Sequence, residues 1–172
     1  MNFLDEFGLS ASDNKAFTNR PVTTGAVSSP YGPRTDVDTG TVGSFHTGID
    51  YSVVNGTPVI SPGKGTVRET GNSPFYGNYV IVDHTNGLTT VPMHLSTISV
   101  QAGNQVLGGD VLGTSGNTGT AAAGAYHLHE SVFKTDNFTV VDNKTWTPTS
   151  LTSENGRIVP KQTLDPSLYF PK

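Results

Sequence analysis

Five histidines occur in this 172-residue chain, and two of them stand one residue apart, in Gly-Ala-Tyr-His-Leu-His-Glu-Ser over residues 124–131. Side chains alternate across a β-strand, so His127 and His129 would project from one face and Leu128 from the other. Two imidazoles so placed can share a metal, or one can bind it while the other moves protons. His46 and Asp50 form a second pairing, in Ser-Phe-His-Thr-Gly-Ile-Asp over residues 44–50. Zinc takes imidazole nitrogen and carboxylate oxygen at about 2 Å in a tetrahedral shell. A bend at Gly48 would let those two ligands converge. His94, in Pro-Met-His-Leu-Ser, lies near the end of an expected strand. Alone, H-x-x-x-D is a weak motif, and a lone strand histidine is more often structural than catalytic.

Glycine-punctuated strands must position these residues. Residues 56–70 carry the β-branched pattern of two strands about a Pro-Gly turn. Residues 77–85 hold a Val80-Ile81-Val82 run, residues 87–100 form the next strand, and Asn86-Gly87 between them signals a hairpin. Short strands and glycine turns continue to Tyr126, where a final core strand begins. No helical period and no internal repeat follow Pro21. The 20 glycines and 11 prolines fit this turn-rich reading, and the length fits one domain with a single core. The expected fold is mainly β, a single antiparallel sheet domain over residues 21–172. Residues 1–20 read as an N-terminal arm, and the polar stretch at about 135–162 as an insertion.

Composition excludes several functions. The formal charge is −4 with no Lys/Arg cluster, which argues against a nucleic-acid partner. Cysteine is absent, so disulfides, thiolate metal sites and a cysteine nucleophile are all excluded. Any transition-metal site must use His, Asp and Glu. No stretch approaches the roughly 18 apolar residues of a membrane span. The N-terminus lacks the basic start and apolar run of a signal peptide, and Asp5 and Glu6 stand where positive charge is expected.

His-Thr-Gly-Ile-Asp, Met-His-Leu-Ser and His-Leu-His-Glu-Ser occur in that order, each in a β context with glycine-rich loops between them. In this the sequence resembles the lysostaphin and LytM-like zinc metallopeptidases, which cleave peptidoglycan peptides. Ser28–Arg34 (Ser-Ser-Pro-Tyr-Gly-Pro-Arg) is similar to that family's opening segment, residues 46–67 to its first hairpin, and residues 77–119 to its central sheet. Residues 127–132 match its last catalytic strand and residues 164–170 its terminus. The resemblance covers roughly residues 21–133 plus the tail, and it implies a LytM/lysostaphin-type sheet, of glucose permease-like β architecture, around a narrow groove.

Carried over by position, the resemblance implies that His46, Asp50 and His129 bind Zn2+ and that His94 and His127 are the catalytic pair. Three protein ligands leave a fourth position for water, the mark of a catalytic zinc site. Which of His94 and His127 serves as the base stays open. The family's aromatic two residues before the third-motif histidine is Pro92 here, which suggests an edge position or a bulge. The proline that usually ends the loop before His-x-His is replaced by Tyr126, read as packing or as a hydroxyl in the cleft. His84 reads as structural. Glu130 should face away from His129. Asp36–Gly40 imitates the start of a calcium loop, but its twelfth position is Thr47, so a solvated loop is expected. Phe75, Tyr76 and Tyr79 read as core aromatics or groove lining.

The resulting expectation is a zinc endopeptidase acting on peptidoglycan stem peptides or cross-bridges. The alternative is a non-catalytic LytM-like module that binds cell-wall peptide or activates a partner hydrolase. The expected site of action is the cell wall, at the extracellular face. Delivery without a signal peptide suits a bacteriophage product, as a tail or virion component or as an endolysin released from the host.

Overall fold

Short β-branched runs between glycine and proline turns favour strands over helices, and the computed structural model of the chain is built almost wholly of strands. It describes residues 16–35, 42–121, 126–135, 151–154, 157–160 and 163–172. In chain order the strands are β1 (Val27–Ser29), β2 (Gly32–Thr35), β3 (Val42–His46), β4 (Ile49–Ser52), β5 (Pro58–Ile60), β6 (Gly65–Ser73), β7 (Gly77–His84) and β8 (Leu88–Met93). They continue as β9 (Leu95–Ile98), β10 (Gln105–Val106), β11 (Val111–Ser115), β12 (His127–Lys134), β13 (Leu151–Glu154), β14 (Arg157–Pro160) and β15 (Thr163–Leu164). No helix among the described residues is long and apolar enough to cross a membrane.

Eleven strands form one antiparallel sheet in the order β1-β4-β12-β8-β7-β9-β11-β5, with β6 and β10 joined through β7, and β15 beside β12. The β7–β8 hairpin turns at Asn86-Gly87 as its sequence requires. β7 is buried on both faces, which explains its unbroken Val-Ile-Val run. Tyr79 and Ile81 pack with Val91, Met93 and Phe133 on one side. Val80 and Val82 pack with Ile49, Tyr51, Leu95 and Leu128 on the other. A third cluster, Phe17, Leu88, Val132, Tyr169 and Phe170, closes one end of the sheet.

One position differs from the sequence reading. Pro92 stands inside the sheet, opposite Glu130 of β12, rather than at an edge. Proline is tolerated there because the β8 ladder to β7 is confined to Thr89 and Thr90, leaving that side locally open at Pro92. The N-terminal stretch falls mostly on residues outside those described. Within its last residues, however, Phe17 is buried, and its N–H donates to the Tyr169 carbonyl at 3.1 Å. The polar stretch at 135–162 also lies largely outside the described residues; inside it, β13 and β14 pair as an antiparallel hairpin. The calcium-like segment at 36–40 is outside them as well.

Candidate metal centre and flanking histidines

The sheet register sets two of the three metal-binding candidates side by side. On β4, Asp50 points away from the core face that takes Ile49 and Tyr51. On β12, His129 is the direct cross-strand partner of Asp50, and on its other side it faces Met93 of β8. His46 ends β3 and reaches the same point from outside the main sheet. Gly48 in the connecting turn has to be glycine, because a Cβ there would lie 2.5 Å from His129 Nε2 and 2.5 Å from the Glu130 carbonyl.

Three donor atoms converge. His46 Nε2 stands 3.1 Å from Asp50 Oδ1 and 3.1 Å from His129 Nδ1, and His129 Nδ1 stands 2.9 Å from Asp50 Oδ1. Ligands about 2 Å from a shared ion in a tetrahedral shell lie about 3.3 Å apart, so this triangle has the size a metal requires. The ring tautomers agree. His46 Nδ1–H donates to the Pro30 carbonyl at 2.8 Å, which leaves Nε2 with its lone pair inward. His129 Nε2–H donates to Ser131 Oγ at 2.9 Å, and the Ser131 hydroxyl donates to the Thr47 carbonyl at 3.2 Å. That leaves Nδ1 of His129 as the inward lone pair. Fixing the outer nitrogen of a ligating histidine by a hydrogen bond is the usual support of a metal site.

Electrostatics point the same way. Burial alone would raise the Asp50 carboxyl, but hydrogen bonds and charge from His129 and His46 outweigh it and hold the group well below the usual carboxylate range. Burial pushes His129 down, so its ring is neutral and able to ligate. A carboxylate and two neutral imidazoles form an N2O donor set suited to zinc.

His94 follows β8 directly and His127 opens β12, where it bridges Gly116. The two rings lie 5.0 Å apart between centroids, and His94 is 6.2 Å from His129. His94 is the sole non-glycine residue among those described with positive φ, +60°. Such a conformation costs about 1–3 kcal/mol and persists where the surroundings impose it. Burial lowers the His94 ring to about 4, so it is neutral near pH 7. Beside this pair opens a groove of about 840 Å3 whose walls include Asp50, Ser52, Val54, Asn55, Tyr126 and His127.

All five expected histidine and aspartate positions therefore meet at one end of β12. Tyr126 is 43% exposed on the groove wall, so its replacement of proline shapes the cleft rather than the core. Tyr79 is core and Phe75 is exposed. His84 is buried, with Nε2 2.8 Å from Thr90 Oγ1, away from the cluster. Sequence reasoning missed Pro30, Ser131 and Thr118, which accept hydrogen bonds from the rings of His46, His129 and His94. Ser131 could have been found, since it lies two residues from His129 on the same strand face.

A sheet carrying His, Asp and His donors around one point defines a candidate metal centre. The sequence comparisons place it more narrowly. Residues 44–142 match the sequence model of peptidase family M23, and the chain belongs to that family. It is 38% identical over 125 residues to the DD-carboxypeptidase/endopeptidase Mpg of Neisseria meningitidis serogroup B, a match spanning 73% of this chain and 28% of that protein. The chain thus spans under a third of that curated relative. It is similar to a zinc-containing peptidase from Vibrio cholerae, with 32% identity and a TM-score of 0.63 over 72% of this chain and 38% of the other. It is also similar to the catalytic domain of lysostaphin from Staphylococcus simulans, with 26% identity and a TM-score of 0.61 over 83% and 90% of the two chains. The mainly β fold is that of LytM/lysostaphin M23 domains.

Proposed function

We propose that the chain is a zinc-dependent endopeptidase that hydrolyses peptide bonds in peptidoglycan stem peptides or cross-bridges. One observation carries the reading: three inward-facing donor atoms within 3.1 Å of one another, with the outer nitrogen of each histidine already committed to a fixed acceptor. His46, Asp50 and His129 would hold the ion. Zinc, when bound in such a site, supplies a Lewis acid and makes water a nucleophile near neutral pH. The chain's own residues supply the rest. The groove beside Asp50 and His127 receives the peptide. His94 and His127 orient the attacking water, move its proton and donate to the carbonyl oxygen as charge develops there.

Metal analysis of the purified protein, paired with mass spectrometry of fragments from isolated cell walls, tests this directly. The expected result is one zinc per chain and new amine termini in the wall peptides. A protein that holds zinc yet cuts no wall is instead a peptide-binding module. Failure to hold zinc overturns the assignment. Walls of defined cross-bridge chemistry would then identify the bond.

A further inference from the structure

The strained His94 is held between two neighbouring segments, residues 76–78 and the loop at Thr118. The His94 N–H donates to the Tyr76 carbonyl at 2.8 Å. The ring Nδ1–H donates to the Thr118 carbonyl at 2.8 Å. The Thr118 hydroxyl donates to the carbonyl of Leu95, the next residue, at 2.8 Å, and accepts from the Asn78 N–H at 2.9 Å. Asn78 Nδ2 donates to the same Leu95 carbonyl at 2.9 Å. Thr118 thus holds the His94 ring through its own carbonyl and the next residue through its hydroxyl. Gly77 makes room for it, since a Cβ there would overlap Thr118 Oγ1.

From this clamp we infer that Thr118 is a positioning residue: its hydroxyl anchors the loop so that its carbonyl locks His94 in the Nδ1-protonated tautomer, leaving Nε2 with the lone pair of a proton acceptor. The inference rests on reading both histidines as catalytic. A carbonyl oxygen can only accept, so Nδ1 must carry the proton and Nε2 the lone pair. The ring lies beside those of His127 and His129. His94 Nε2 takes a proton from water as the water oxygen bonds to the peptide carbon. It returns that proton to the amide nitrogen as the C–N bond breaks, giving an amine and a carboxylic acid that ionises to solvent.

Long-range 1H–15N spectra of the zinc-loaded, 15N-labelled protein read the tautomer without any substrate. His94 should appear as the Nδ1–H form. Thr118→Val keeps the shape and removes the hydroxyl, while Thr118→Ser keeps the hydroxyl. With purified muropeptide dimers as substrate, Thr118→Val should lower kcat by about 100-fold with KM little changed, the scale expected of a misplaced catalytic group. Its zinc content should match the wild type, and its His94 ring signals should shift and broaden as the Thr118 carbonyl loses its anchor. Thr118→Ser should restore most of the rate. A wild-type Nε2–H tautomer, an unimpaired Thr118→Val, or equal damage in both variants would overturn the inference. A locked tautomer in a protein that cuts no muropeptide would leave the clamp standing and sink the hydrolase.

Discussion

The two faces of β12 treat their polar groups differently. On the groove side, His129 and Ser131 are fully engaged: the ring donates to the hydroxyl, the hydroxyl donates to Thr47, and the free nitrogen joins Asp50 and His46. On the covered side, between Leu128 and Val132, Glu130 is 1% exposed, and neither carboxyl oxygen has a hydrogen-bond partner among the described residues. Burial raises that carboxyl well above its ordinary value, which favours its neutral form. Neighbouring residues on one strand thus meet opposite fates. Order in the polar network follows the site, and the strand tolerates an uncompensated group one residue away.

The strongest way to break this contrast is at the groove face. Replacing His46, Asp50 or His129 with alanine should abolish stoichiometric zinc and wall cleavage together. His94→Ala should lose turnover and keep the metal. Metal analysis beside the cleavage assay separates the two classes, and a His129→Ala protein with full zinc would refute the ligand assignment.

The next effect belongs to the covered face. His84, on the same side of the sheet as Val80 and Val82, is lowered to about 4 by burial. In the unfolded chain it titrates near 6.5, so below that pH the unfolded state binds the extra proton. Its contribution is complete above about pH 6.5 and is lost as pH falls toward 4, a change of roughly 3 kcal/mol. Denaturant melts across that range should show a flatter profile for His84→Leu than for the wild type. Parallel profiles would show that His84 does not carry the acid sensitivity.

Smaller effects sharpen the contrast. Ser131→Ala should weaken zinc binding by about 10- to 100-fold, the usual loss when an outer hydrogen bond to a ligand is removed, measured by chelator competition. Glu130→Leu should do the reverse for stability. Removing an unpartnered buried carboxyl should add about 1–3 kcal/mol, or about 2–4 °C in Tm per kcal/mol, with zinc affinity unchanged. A destabilised Glu130→Leu would mean the carboxyl has a partner after all.

Much of this arrangement was legible in the chain. Strand alternation alone placed His127 and His129 together and turned Glu130 away. The Val80–Val82 run and Asn86-Gly87 marked the central hairpin. The meeting of His46 with His129, 83 residues apart, was not readable from local spacing and came through the family resemblance. The left-handed His94 and its Thr118 clamp left no signal, because both depend on a loop folding back across the sheet. Pro92 misled for a related reason: a propensity rule describes an ideal ladder, and here the strands part. The burial of Phe17 left no signal either, because it depends on Tyr169 and Phe170, at the far end of the chain.

Asp50 and His129 are also register partners in the sheet. An ion between them would act as a rivet through β4 and β12, fixing the alignment on which every other contact of the two strands depends. A one-residue slip would turn one of the two side chains to the opposite face. Zinc loading should therefore slow amide exchange first along Ile49–Ser52 and His127–Glu130, and chelation should loosen that seam before the distant β6–β7 pair.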